Sequence, residues 1–204
     1  IQDDNINSNS NLNLELLKQG ANVFHSVKCS ILNYLNQSFT MNNDENLKLI
    51  NIFKFIEDKL KSEIKYNRKK PLEASIAFPV GLNINEVVAH WSPNQLDTQQ
   101  ILQKDDIIKI DYGVQFQGNI IDSAFSYSQN DKFNNLIKIS EEATNKGCQM
   151  MGEEVFINDI SKSIQEIIES YEIEIDGKLS RVKSVQNLTG HKIQKYKIHG
   201  DKMI

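Results

Sequence analysis

From residue 107 to residue 127 the chain reads IIKIDYGVQFQGNIIDSAFSY. Two runs of period-two alternation, 107–116 and 119–127, flank Gln117-Gly118, the pattern of two antiparallel strands joined by a tight turn. In the first run Ile108, Ile110, Tyr112, Val114 and Phe116 share one face, and Asp111 points the other way. In the second, Ile121, Phe125 and Tyr127 share a face and Asp122 points the other way. A turn of even length makes the numbers of paired residues sum to an odd value, and 111 and 122 satisfy that. Both carboxylates therefore fall on one side of the sheet, opposite or diagonal, within reach of a common ion.

Upstream of this hairpin the spacing is helical. Leu17, Ala21, Phe24, Val27, Ile31 and Leu35 predict an amphipathic helix over about 12–36, and Leu49, Ile52, Phe53, Ile56, Leu60 and Ile64 predict a second, with Asn42-Asn43-Asp44 as its cap. Residues 1–11 are polar and Asn/Ser-rich and read as a flexible segment. Between Pro71 and the hairpin, Ala74 to His90 is punctuated by Pro79 and Gly81 and reads as strand, turn and strand. Downstream, Phe133 to Met150 and Ile160 to Tyr171 return to helical spacing, the latter behind the cap candidates Asn158 and Asp159. Asp176-Gly177 signals another hairpin, and short extended pieces follow it. Helices segregated onto an antiparallel sheet make an α+β protein.

The 204 residues are 39% apolar and 25% charged, with a formal net charge of −4. That balance lacks the basic footprint of a nucleic-acid binder, and Arg68-Lys69-Lys70 reads as a solvated helix end. Cys29 and Cys148 stand far apart in no ligand or redox spacing, which fits a reducing compartment. No apolar run is long enough to span a bilayer, and no signal-peptide pattern opens the chain. The cytoplasm is the default location, with no membrane partner.

Two carboxylates held close repel unless a proton or a cation lies between them. A random Asp pair is most often solvated, but Asp111 interrupts a strongly apolar strand. Nitrogen donors are few: His25, His90, His191 and His199. His25 sits within the first helix and reads as structural. His191 follows Gly190, where the backbone is free to approach a ligand closely.

An ordered series of segments carries a family resemblance. Ile76-Ala77-Phe78-Pro79, Ala89-His90-x-x-Pro93-Asn94, Lys109-Ile110-Asp111-Tyr112-Gly113 and Ile121-Asp122-x-Ala124-Phe125 are followed by Glu169-Ser170-Tyr171, Asn187-Leu188-x-Gly190-His191 and Tyr196-x-Ile198-His199. Together they resemble the successive signatures of methionine aminopeptidases, and the second and sixth are similar to the second type. The resemblance implies the pita-bread fold, two pseudo-symmetric helix-plus-strand halves around two divalent ions of Mn, Co, Fe or Zn. It implies that Asp111 chelates one ion, Asp122 bridges both, and His191 binds the other, with a metal-bridged hydroxide as nucleophile. It further implies that His90 and His199 contact the substrate, His90 near the scissile bond. Phe78, Leu188 and Ile198 then line the pocket for the methionine side chain. The partner implied is the N-terminal peptide of nascent proteins, with ribosome association implied by the resemblance alone and no direct nucleic-acid binding.

The family's site needs two further glutamates from the later part of its second half, and this sequence ends before them. Residues 12–204 therefore read as an incomplete catalytic domain, the first half plus the start of the second. Three ligands where five belong predict weak metal binding and an inactive fragment. The alternative class is an inactive pita-bread paralogue acting as a protein- or RNA-binding regulator. It is disfavoured by the Asp, Asp, His set and by the absent basic balance. A proline-specific peptidase shares the aspartates, but the Phe-Pro and Ala-His-x-x-Pro-Asn segments argue against it.

Overall fold

A computed structural model of the chain describes residues 2–94, 96, 99 to 203, with side chains from residue 12 onward. It divides into two compact units, Ile1–Gln129 with Ile193–Ile198, and Asn130–Lys192 with His199–Ile204.

The first unit is a three-stranded antiparallel sheet in the order β1-β2-β3, built from β1 (Ala74–Ile84), β2 (Ile107–Phe116) and β3 (Asn119–Ser128). Gln117 and Gly118 both take positive φ, 50° and 84°, the turn that matches the twist of a two-residue hairpin. The apolar face carrying Ile108, Ile110, Tyr112 and Val114 is buried. It packs against helix α1 (Gln2–Thr40) through Phe24, Val27, Ile31 and Leu35, and against α3 (Leu49–Glu63) through Ile52, Ile56 and Leu60. Tyr112 anchors this core: its hydroxyl donates to the Phe24 carbonyl at 2.9 Å and its ring stacks on Phe24 at 4.6 Å. Gly20 of α1 permits the close approach, since a Cβ there would lie 2.6 Å from Ile121 Cγ1.

Three local expectations change. Within the stretch Ala74 to His90 only Ala74–Ile84 is strand, with register shifts between Ile76 and Phe78 and between Phe78 and Gly81. Pro79 thus sits in an edge-strand bulge, where its missing N–H is tolerated. Residues 85–90 form a turn and loop instead of a second strand. The second helix is split: Asn43 caps α2 (Asp44–Leu47), accepting from Asn46 N, and α3 begins only after Lys48. Lys48 is extended because its backbone bridges to Ile101, while Leu49 N donates to Gln100 O and Leu102 N to Leu47 O. Helix α1 is assigned from Gln2, ahead of the start that apolar spacing predicts. The expected flexible segment 1–11 falls on residues outside those with described side chains.

In the second unit a 3-10 turn (Asp131–Phe133) leads into α4 (Asn134–Met150), followed by α5 (Ile157–Glu169) and the hairpin β4 (Glu172–Ile175) and β5 (Lys178–Arg181). Asp176 and Gly177 make its turn with φ of 52° and 76°. Helices α4 and α5 meet at Gly147, where a Cβ would come 2.9 Å from Ile164 Cδ1. Phe156, not Asn158 or Asp159, holds the N-cap position of α5. Asp159 instead lies in the first turn, where the helix dipole favours a carboxylate. No helix among the described residues is long and apolar enough to cross a membrane.

Candidate functional site

Pairing of β2 with β3 puts Asp111 opposite Ala124 and Asp122 opposite Gly113. The two carboxylates are diagonal neighbours on one face, positions that lie roughly 7–8 Å apart in such pairs. Across β2, strand β1 places Gly81 opposite Asp111 and Phe78 opposite Gly113. The face therefore carries two rows, Phe78–Gly113–Asp122 and Gly81–Asp111–Ala124. Both aspartates are half-buried, and Asp111 Oδ1 is shielded from solvent.

The glycines beside the carboxylates stand where neighbouring groups leave little space for a side chain. A Cβ at Gly113 would lie 2.3 Å from Phe78 Cε1 and 2.6 Å from the Ile121 carbonyl oxygen. At Gly81 it would lie 3.3 Å from Asp111 Cβ and 3.7 Å from the Trp91 carbonyl oxygen. Sequence reasoning gives neither glycine a role at the site: Gly81 reads there only as a turn signal and Gly113 only as part of a segment. The available signal is that Gly113 stands two residues from Asp111, and so on its face. In the next row Lys109 lies between Asn83 and Ser126, and its Nζ donates to the Asn85 carbonyl at 2.5 Å. Burial pushes the Lys109 ammonium pKa below the usual lysine value, with the nearby Glu86 carboxylate opposing that shift.

His90 lies in the loop after β1, exposed, with a left-handed φ of 64°. The loop folds back there. Leu82 N donates to Trp91 O at 2.9 Å, Trp91 N donates to Asn83 Oδ1 at 2.9 Å, and Ser92 Oγ donates to Val80 O at 2.7 Å. His25 is exposed on α1, its ring edge-on to Phe24.

In the second unit His191 and His199 stack, with ring centroids 4.0 Å apart and planes 26° from parallel. His191 is half-buried with its Nδ1 shielded, and its backbone bridges to Met203; His199 is exposed. Leu188 is exposed and Ile198 half-buried. Ile198 belongs to the segment Ile193–Ile198 of the first unit. Tyr196 of that segment donates its N–H to Gly118 O at 2.9 Å, and its ring lies against Gly118.

The structure thus gathers Asp111, Asp122 and Phe78 in one unit and His191 with His199 in the other. Among the described residues no group of three or more His, Cys, Asp or Glu side chains is assembled to hold a metal. The Asp111–Asp122 pair, flanked by the close-packed Gly81 and Gly113, suits a hard divalent cation that relieves carboxylate repulsion.

A helix-backed antiparallel sheet with paired aspartates on the side away from the helices fits a metallopeptidase scaffold, and the chain belongs to metallopeptidase family M24, whose profile matches residues 33–204. Its arrangement is the pita-bread fold. Within that family it is similar to the type-2 methionine aminopeptidases. Methionine aminopeptidase 2-2 of Neosartorya fischeri is 43% identical over 159 residues, 76% of this chain and 34% of that protein. Methionine aminopeptidase 2A of Arabidopsis thaliana is 38% identical over 188 residues, 92% of this chain and 40% of that protein. The chain therefore spans about a third of the length of the first of these relatives. The crystal structure of a methionine aminopeptidase from Rickettsia prowazekii superposes with a TM-score of 0.61 at 22% identity, covering 90% of this chain and 70% of that one.

Proposed function

We propose that this protein removes the initiator methionine from nascent proteins, as a type-2 methionine aminopeptidase using two divalent ions. The observation that carries the reading is the diagonal Asp111–Asp122 pair on a face flanked by Phe78. Asp111 and Asp122 would hold the cations with His191 as the nitrogen donor; when bound, these supply a water nucleophile at neutral pH and polarise the scissile carbonyl. His90 donates a hydrogen bond near the scissile amide and offsets the charge that develops there. His199 contacts the substrate backbone, and Phe78, Leu188 and Ile198 give the methionine side chain apolar walls.

The substrate makes cytoplasmic work near the ribosome a natural setting. The test is methionine release from a Met-Ala or Met-Val peptide with Mn(II) or Co(II), repeated with a chelator and with Asp111→Ala. Metal-dependent release that vanishes in both controls supports the peptidase and the ligand role of Asp111 together. A folded protein that releases nothing with any metal moves the reading to a binding protein on the same fold.

A further inference from the structure

Asn83 is 1% exposed, on edge strand β1, one row beyond Asp111. A buried amide needs partners for both of its polar atoms. Its Nδ2 donates to Lys109 O at 3.3 Å, and its Oδ1 accepts the Trp91 N–H at 2.9 Å. The Trp91 carbonyl accepts from Leu82 N at 2.9 Å, so the corner is gripped through both backbone groups of one residue. Ser92 Oγ adds a third tie, to Val80 O at 2.7 Å.

The residue before this grip is His90, whose φ of 64° is left-handed. A non-glycine residue keeps such a conformation only where its surroundings over-determine it. Here the neighbouring peptide is held by bonds that reach back to β1. The same grip sets where the corner runs. Trp91 O and Asp111 Cβ both approach the empty Cβ position of Gly81, at 3.7 and 3.3 Å. The corner carrying His90 therefore passes beside the row that holds Asp111.

We propose that Asn83 is a positioning residue for the reaction: by accepting the Trp91 N–H it locks His90 in its left-handed conformation beside Asp111 and presets the imidazole toward the scissile amide. This rests on the reading above, in which His90 touches the substrate. A side chain that merely fills an edge strand would weaken the fold equally whether or not His90 is present. A positioning residue acts through His90 and loses its effect when the imidazole is gone.

The experiment is a double-mutant cycle in the intact protein with Mn(II) and a Met-Ala peptide, using wild type, Asn83→Ala, His90→Ala and the double variant. Asn83→Ala lowers kcat about tenfold with KM moved less than about threefold, as for a displaced catalytic group. In the His90→Ala background the same change costs less than about twofold. An equal loss in both backgrounds overturns the proposal. Ser92→Ala, which loosens the corner from outside the packed row, repeats the effect more weakly and serves if Asn83→Ala folds poorly. A second measurement needs no turnover. The chain has four histidines, and His90→Ala assigns one ring signal in a carbon-13 histidine NMR spectrum. Asn83→Ala, or Ser92→Ala to a lesser degree, moves that signal toward its position in the denatured chain and leaves His25 unmoved. A His90 signal unmoved in both variants overturns the proposal. Should wild type release no methionine, the functional reading falls, and the NMR spectrum alone decides whether Asn83 holds His90.

Discussion

Asp111 and Asp122 stand one step apart on the same sheet face, Asp111 facing Ala124 and Asp122 facing Gly113 across the β2–β3 pair. A cation between such carboxylates stabilises the folded chain by mass action, about 2.7 kcal/mol at a hundred times the dissociation constant. Thermal unfolding with and without Mn(II) should therefore show a metal-dependent rise in Tm that Asp111→Asn and Asp122→Asn each remove. An undiminished rise in both variants places the cation elsewhere.

Gly113 is boxed in by Phe78 and by backbone. Gly113→Ala puts a methyl 2.3 Å from the Phe78 ring and 2.6 Å from the Ile121 carbonyl, and should cost about 1–3 kcal/mol by overpacking. Adding Phe78→Ala relieves only the ring contact, so urea denaturation of the double variant should recover part of the cost, allowing for the lost aromatic packing. Full stability in Gly113→Ala alone would contradict the close approach.

Gly118 meets two separate obstacles to a side chain. Its φ is +84°, and a Cβ would lie 2.5 Å from Tyr196 Cδ2. Gly118→Ala should destabilise by about 1–2 kcal/mol for the backbone alone, with the ring contact added. Tyr196→Ala in that background removes the second cost and keeps the first. Denaturation midpoints of the four-member set read the two contributions separately.

The Tyr112 hydroxyl is buried and bonded to Phe24 O across 88 residues of sequence. Tyr112→Phe keeps the stacking and deletes this bond, and should cost about 1 kcal/mol. Tyr112→Leu should cost more, because it also loses the ring contacts with Phe24 and Phe125.

Burial holds the Tyr112 hydroxyl well above the usual tyrosine range and pushes Tyr127 up to about 12. Unfolded tyrosine titrates near pH 10, so above that pH the native state keeps protons that the unfolded state has released. Stability therefore falls as pH rises from about 10 through about 12. A tyrosinate absorbance titration of the six tyrosines should show a late component that joins the main one in denaturant.

What was legible in the sequence is what depends on neighbours along the chain. Period-two alternation marked β2 and β3, helical spacing marked the buried stripes of α1 and α3, and Gln117-Gly118 and Asp176-Gly177 marked their turns. The parity of a two-residue turn put both aspartates on one face, because strand side chains alternate strictly. Parity does not choose between opposite and diagonal. Pairing settles that choice, and with it Phe78 and Gly81 enter the two rows. The remaining features rest on hydrogen bonds between residues distant in sequence. Lys48 breaks a helix because Ile101 pairs with it, Pro79 stays within a strand because its edge bulges, and His90 turns left-handed beside a peptide that Asn83 and Leu82 grip. Local propensity carries no trace of such partners, so tertiary structure alone decided them.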